Sequence, residues 1–301
     1  LLRRLLQAIP VLLVVSVIVF AIMDGLGNTV RLLLPPDATE ADIARLTHEM
    51  GFDRPWYGRY AQFLANLAHG DLGDSFRYHE PAFRLVIERF PVTLTLTSLS
   101  LCFAVAVAVP LAVLAARSPG SWLDLLASMF AVAGRALPSF WTGLMLMLFF
   151  SVRWRLLPVS GYASWSNLIL PVVTLGASLA AVLTQLLRSS LLEVLGSDFV
   201  RTARAKGLSE QRVLLRHGLR PALIPVLTVL GLQAAGLIEG SVVTETVFAL
   251  PGMGRLAVQA VQGLDYAVVM ATVLLSALLV VLINLLVDLL YTLVDPRIRY
   301  A

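Results

Sequence analysis

Residues 188–225 read RSSLLEVLGSDFVRTARAKGLSEQRVLLRHGLRPALIP, a polar stretch set between two long apolar runs. A bilayer crossing takes about 20 apolar residues, and both flanking runs reach that length. The stretch between them is therefore a loop at one membrane face. It carries Arg188, Arg201, Arg204, Lys206, Arg212, Arg216 and Arg220 against only Glu193, Asp198 and Glu210. Short loops rich in Lys and Arg stay on the cytoplasmic side. Local signals give the loop a shape. Residues 199–206 are good helix formers, and Gly207 can take the left-handed conformation that ends a helix. Ser209 is placed to cap a second helix, with Glu210 in its first turn where the dipole favours an anion. That helix is expected to run to about Leu219, and Pro221 closes the segment. A helix–glycine–helix knuckle under the membrane suits docking to a soluble partner. The plainer alternative is a basic loop that only fixes topology.

Composition extends the membrane reading to the whole chain. Of 301 residues, 58% are hydrophobic and 14% charged, and the mean hydropathy is +0.83. Soluble domains are about half apolar and about a quarter charged, so an ordinary soluble domain is excluded. The pI of 9.6 does not point to nucleic acid. The basic residues flank apolar runs instead of forming one aromatic-lined patch, and Lys206 is the only lysine. Cys102 is the only cysteine, which leaves no intrachain disulfide and no cysteine metal cluster.

Six apolar runs qualify as spans: 5–23, 92–116, 125–150, 168–187, 222–248 and 267–290. The first follows Arg3 and Arg4 and is longer than a signal-peptide core, so it reads as a retained helix. Residues 24–91 form an outer loop region, with seven arginines and ten carboxylates in 24–90. Helical segments are expected at 38–50, capped by Thr39, and at 59–67. Asp71 and Asp74 read as turn residues. His48, His69 and His79 match no metal-ligand spacing. Pro138 breaks the third span, which a bilayer tolerates where neighbours satisfy the freed carbonyl. Trp154, Tyr162 and Trp165 mark a membrane interface. The cytoplasmic segments then hold twelve Lys and Arg, and the two short outer loops hold three, Arg153, Arg155 and Arg255. That bias puts both termini in the cytoplasm. The chain divides into an N-terminal transmembrane helix (1–23), the outer region (24–91) and a five-helix core (92–301) with the cytoplasmic loop at 188–221.

Several stretches carry a family resemblance. RTARAKG at 201–207 resembles the cytoplasmic coupling loop, the EAA loop, of ABC-transporter permeases in its dipeptide, oligopeptide and nickel form. The general motif opens Glu-Ala-Ala; this chain has Arg201, Thr202 and Ala203, and keeps the glycine as Gly207. GDLGDSF at 70–76, LPSFW at 137–141, LPVSGY at 157–162, ETVFALPGMGRL at 245–256 and NLLVDLLYTLVDPRIRY at 284–300 resemble the B-type subunit of the same family. The resemblance implies an all-α membrane protein like a type I ABC importer permease. Six transmembrane helices are implied, five of them packed around a pathway shared with a second homologous permease subunit. It implies two ABC ATPase subunits, one gripping the coupling loop at Asp198, Arg201, Thr202, Ala203, Arg204, Ala205, Lys206, Gly207, Leu208 and Ser209. An extracytoplasmic solute-binding protein would deliver substrate, in a bacterial or archaeal inner membrane. The implied cargo is a dipeptide or oligopeptide, or else glutathione-like peptides, nickel or a metallophore.

The residues agree that the chain is not itself a catalyst. A phosphate loop needs G-x-x-x-x-G-K-[ST], and the one lysine does not stand in that setting, so ATP and Mg belong to partner subunits. No histidine lies inside a span for a hydrolase site, and His217 reads as a surface residue of the knuckle. An ion-coupled secondary transporter, the reading from a different class, would show matching broken helices or several carboxylates in its spans. Charges do lie in apolar runs, Arg135, Glu239 and Asp288 among them, and buried charge in a bilayer is by default functional or paired. Asp288 reads as structural with Asn284. Arg135 and Glu239 depart from the family pattern. They are candidate translocation-path residues, expected about 15 Å and about 25 Å into their spans. They either pair with each other or hold the two ends of a zwitterionic substrate. Glu245 reads as satisfying backbone or an arginine near PGMG at 251–254, with contact to substrate as the alternative.

Overall fold

The structure is a computed structural model that describes residues 2–25, 34, 38–49 and 53–294. The side chains of 2–8, 23–25, 46, 49 and 286–294 lie outside that description, so the readings of Arg3, Arg4, Asp288 and the tail at 295–300 fall beyond it. Among the described residues the chain is helical, with one isolated β-bridge between Asp74 and Pro81. It divides into two compact units, 1–90 with 256–281 and 91–255 with 282–301.

In the first unit, α1 (Leu2–Gly25) is followed by the short helices α2 (Glu40–Glu49) and α3 (Trp56–Ala68). Thr39 caps α2: its Oγ1 accepts from the Asp42 N–H, while Asp42 Oδ2 accepts from the Thr39 N–H, a reciprocal cap. The Thr39 hydroxyl, and then its N–H, donate to Oδ2 and hold the Asp42 carboxyl below its usual range. α1 packs on α3 through Phe20, Tyr60 and Phe63, and the Ser16 and Tyr60 hydroxyls hydrogen-bond at 2.8 Å. The turn at 70–76 is built as its residues suggest. Asp71 Oδ1 accepts from the Gly73 N–H at 2.8 Å, and Gly70 and Gly73 take positive φ. Ser75 then donates to the fully buried Asp265 at 2.5 Å.

The second unit is built on α7 (Ser166–Leu195), the most enclosed of the long apolar helices. Around it lie α4 (Ala82–Arg117), α5 (Trp122–Ala136), α6 (Ser139–Leu146) and α10 (Leu219–Val247). The core is aliphatic: Leu96, Leu183, Leu187 and Leu191 are each almost fully buried beside Ala104, Ala108, Ala112 and Ala180. Small residues set the helix crossings, as membrane packing requires. A Cβ on Gly176 would lie 2.7 Å from the Ser100 carbonyl of α4, and one on Gly134 2.6 Å from the Ala181 Cβ.

Four helices are long and apolar enough to cross a bilayer, Ala82–Arg117, Ser166–Leu195, Glu210–Val247 and Tyr266–Leu285. A bent pair gives a fifth if counted as one span, and Ile9–Ile22 of α1 is a shorter apolar stretch. Two features depart from the sequence reading. The run at 125–150 is not one kinked rod but two helices bent by 110°. Pro138 excludes Leu137 from the helical region, and both residues are extended, with ψ of 128° and 137°. Two successive extended residues end the helix outright. Conversely, Pro221 does not close the basic segment. Helix runs through it, from α9 (Glu210–Arg212) by a π turn at Val213–Gly218 into α10. In a regular helix the Pro221 ring would press on the carbonyl of His217; the wider π turn just before it gives that carbonyl room.

Candidate functional site

The knuckle forms as the loop's residues direct. α8 (Asp198–Ala205) is followed by Gly207 at φ +78°. Nothing lies within 4 Å of the point a Cβ would occupy there, so the constraint on this position is conformational and not steric. Val200 and Ala203 turn inward onto Val213, making a small core against Val194, Leu195 and Leu208. The other face, Asp198, Phe199, Arg201, Thr202, Ala205 and Lys206, is exposed. Phe199 is half exposed among charges, and the sequence reading did not single it out. Aromatic rings presented this way are typical anchors of protein interfaces.

Arg204 is not available in the same sense. Its guanidinium donates to both carboxylate oxygens of Glu210, at 2.8 and 3.2 Å, and to the Leu195 carbonyl at 3.3 Å. It staples the two arms of the knuckle to the end of α7. Ser209 at the start of α9 makes no side-chain cap bond, contrary to the capping expectation; α9 is only three residues long before the π turn. Arg201 and Asp198 form an exposed i,i+3 pair of 3.2 Å, of little energetic weight. Beside the knuckle lies a cavity of about 570 Å³ lined by Arg117, Leu192, Leu195, Arg204, Glu210 and Leu214.

Arg188, read as a loop charge, belongs to α7. It grips Asp124 with Nε on Oδ1 and Nη2 on Oδ2. Asp124 is buried at the start of α5 and also accepts from the Gly120 N–H.

The three candidate path residues separate into two kinds. Arg135 and Glu239 are exposed on the unit's surface. Arg135 Nη1 donates to Gln185 Oε1 of α7 at 2.9 Å, and no ion pair with Glu239 occurs among the described residues. The direct pair is therefore not formed; Gln185, a polar side chain offered by the helix on which α5 packs, takes the guanidinium. Glu245 is fully buried. It accepts from Thr93 Oγ1 at 2.6 Å and from the Arg255 N–H at 3.0 Å, at the start of α11 (Met253–Gln262). Thr93 Oγ1 in turn accepts from the Met253 N–H, and Arg255 Nη1 donates to the Ala249 carbonyl. Gly252 lies against the carboxylate, where no side chain would fit. The carboxylate thus closes the ETVFALPGMGRL turn onto α4, and it has no exposed surface to offer a passing solute.

This arrangement, a multi-pass helical body with a helix–glycine–helix knuckle, is that of a transport permease. A family model described as "Binding-protein-dependent transport system inner membrane component" matches residues 108–300, and its N-terminal counterpart matches 1–97. The chain belongs to this family, the ABC-transporter inner-membrane permeases of the dipeptide, oligopeptide and glutathione type. Such permeases are multi-pass inner-membrane subunits that work with ATPase and binding-protein partners. Among its relatives is the glutathione transport system permease protein GsiC of Escherichia coli O6:H1, 43% identical over 299 residues, covering 99% of this chain and 98% of the relative. GsiC of Salmonella typhimurium LT2 is 43% identical over 300 residues with the same coverage. The fold is shared with the methionine ABC transporter MetNI in inward-facing conformations (TM-score 0.57, 20% identity, 70% of this chain and 96% of that one). It is shared also with an amino acid ABC transporter crystallised with histidines (TM-score 0.56, 18% identity, 69% and 93%).

Proposed function

We propose that this chain is one of two permease subunits of an ATP-driven importer for short peptides, with glutathione-like peptides the first choice of cargo. The exposed knuckle at 198–209 carries the coupling part of the reading: a rigid, charged helix with one protruding aromatic, tied by Arg204 to the end of a membrane helix. A push on α8 would pass through that staple to α7 and, through the continuous helix from Glu210, to α10. ATP and Mg act on partner ATPase subunits, one of which holds the knuckle. An extracytoplasmic binding protein delivers the solute to the outer region at 24–91. The chain crosses the bilayer six times, with α1 and the bent α5–α6 pair each counted once and both termini in the cytoplasm. The choice of glutathione-like peptides rests on the 43% identity to permeases named for glutathione.

The experiment is reconstitution of the whole complex in vesicles and measurement of ATP-dependent uptake of labelled glutathione, dialanine and nickel. Glutathione or dialanine uptake that needs the binding protein supports the reading. Nickel alone as cargo replaces the substrate class, and uptake that persists without ATP but follows an ion gradient removes the ABC mechanism.

A further inference from the structure

Arg135 stands near the end of an apolar helix, two residues before the break at Leu137, and is exposed. A lipid-facing guanidinium is costly, and intramembrane charges lie almost always toward a protein neighbour or a water-filled path. One of its donors is used, on Gln185; the rest of the fork has no protein partner among the described residues. Gln185 belongs to an exposed polar file on α7, Ser178, Gln185 and Ser189, spaced two turns and one turn apart on one face. α10 of the same unit exposes Gln233 and Glu239 within its own apolar sequence, on different faces, while its Thr228 and Thr246 hydroxyls donate to carbonyls of their own helix. Polar residues in register along a membrane helix are out of place against acyl chains and in place along an aqueous path.

We infer that Arg135, oriented by Gln185, lines the translocation pathway and recognises a carboxylate of the passing solute. The inference rests on the permease reading above and adds the group that selects the cargo. The chemistry fits the residue: a guanidinium is planar, charged at every physiological pH and able to hold a carboxylate through two parallel N–H···O bonds. The Gln185 oxygen fixes the plane of the fork while leaving donors free. An aqueous path would keep the contact weak enough for release, which a transit site needs and a storage site does not. Peptides with a free C-terminus and glutathione, with its two carboxylates, share this handle.

The test uses the complete reconstituted complex with labelled glutathione and dialanine as probes. Arg135→Gln is expected to lower uptake about tenfold while ATP hydrolysis stimulated by the binding protein stays within about twofold of the parent. Arg135→Lys keeps the charge but loses the two-bond fork, and its uptake should fall between the parent and Arg135→Gln. Independently, Arg135→Cys in a Cys102→Ala background should react with a charged, membrane-impermeant thiosulfonate and be protected during turnover by saturating dialanine, which carries no thiol to consume the reagent. Uptake unchanged in Arg135→Gln, or a thiol at 135 that stays unreactive throughout the cycle, overturns the inference. If Arg135→Gln does not assemble, thiol reactivity and its protection decide the matter. A parent complex that takes up neither probe with ATP overturns the permease reading for these cargoes, and this inference with it; parent uptake with an indifferent Arg135 overturns this inference alone.

Discussion

The guanidinium of Arg188 clasps the carboxylate of Asp124 with two parallel bonds, Nη2 lying 2.8 Å from Oδ2. The pair joins the start of α5 to α7 near the knuckle, with Asp124 buried and Arg188 a quarter exposed. It follows that 117–124 and the basic loop leave the second unit on the same face. Asp124→Asn leaves a positive charge without its partner, and the expected loss of stability is about 3 kcal/mol, the low end for a broken buried pair because Arg188 keeps some water. Removing both charges, as Asp124→Leu with Arg188→Leu, should recover most of it, apart from about 1 kcal/mol for the lost Gly120 bond. Thermal unfolding of the purified complex in detergent measures both; a double variant as weak as Asp124→Asn would show that the pair's geometry, not its charge balance, holds these helices.

Gly207 is the joint of the knuckle. Its φ of +78° is open to glycine and strained for other residues, yet the space around it is empty. Gly207→Asn, which tolerates the left-handed region, should keep transport near the parent level. Gly207→Val adds strain of about 1–2 kcal/mol and should insert normally but uncouple uptake from ATP hydrolysis. Phe199→Ala tests the same surface from the other side, since loss of a buried interface aromatic costs about 2 kcal/mol or more in docking. ATPase retention on the purified permease and uptake in vesicles, measured together, are the readouts. Parent-level coupled uptake in both Gly207→Val and Phe199→Ala would remove the knuckle from the mechanism.

Much of this was legible in the sequence, and the exceptions share a cause. The knuckle helix expected at 199–206 lies at Asp198–Ala205, and the glycine that ends it has the left-handed backbone its position implied. Charge and apolar length located the long spans because a bilayer imposes those quantities locally. What could not be read was pairing at a distance. Arg188 looked like one more loop charge because its partner Asp124 is 64 residues away, and Glu245 meets Thr93 across 152. Pro138 announced a break but not its angle, which depends on Leu137 and Pro138 both being extended. Pro221 announced an end that a π turn removes. Ser209 was a sound cap by local rules, but it makes no cap bond where α9 passes after three residues into the π turn.

The turn around Glu245 should be brittle. Its carboxylate accepts from Thr93 and from the Arg255 N–H, with Gly252 against it. Glu245→Ala strands these buried donors at about 1–3 kcal/mol each. Thr93→Val keeps the shape and deletes the hydroxyl, leaving the Met253 N–H without its acceptor, at a similar cost. Gly252→Ala should be as harmful as Glu245→Ala, because the added methyl falls on the carboxylate. Yield of assembled complex and its unfolding temperature check the order. Normal stability with lost uptake in Glu245→Ala would instead place this carboxylate in contact with the cargo.

Topology has a direct test. Ser160 and Ser209 are both exposed, on the short loop before α7 and at the knuckle. The six crossings proposed above would put the first outside and the second inside, in keeping with the twelve-to-three bias of basic residues. In a Cys102→Ala background, Ser160→Cys should react with an impermeant maleimide in intact cells, and Ser209→Cys only after the membrane is opened. Labelling of Ser209→Cys from outside would invert the whole arrangement.

Arg135 and Glu239 are two opposite charges on apolar helices of one unit. Sequence alone made a direct pair attractive, since each would neutralise the other's cost in a bilayer. The structure gives Arg135 to Gln185 instead, and both charges are exposed. Residues that share no contact add their effects within about 0.5 kcal/mol, whereas a desolvated ion pair broken from either side shows coupling well above about 1 kcal/mol. The cycle compares Arg135→Leu, Glu239→Gln and the double variant; glutamine is preferred to glycine because a further glycine in α10 would cost about 1 kcal/mol by itself. Unfolding temperature of the complex reports the structural part, and uptake reports the functional part. Additive losses in unfolding are expected. Gln185→Leu should then reproduce part of the Arg135 effect on uptake and leave that of Glu239 untouched, because only Arg135 depends on the Gln185 oxygen for its orientation. A double variant more stable than the sum of the single losses predicts would show that the two charges meet in the assembled complex, and that the Gln185 bond is the resting position of a guanidinium with two partners.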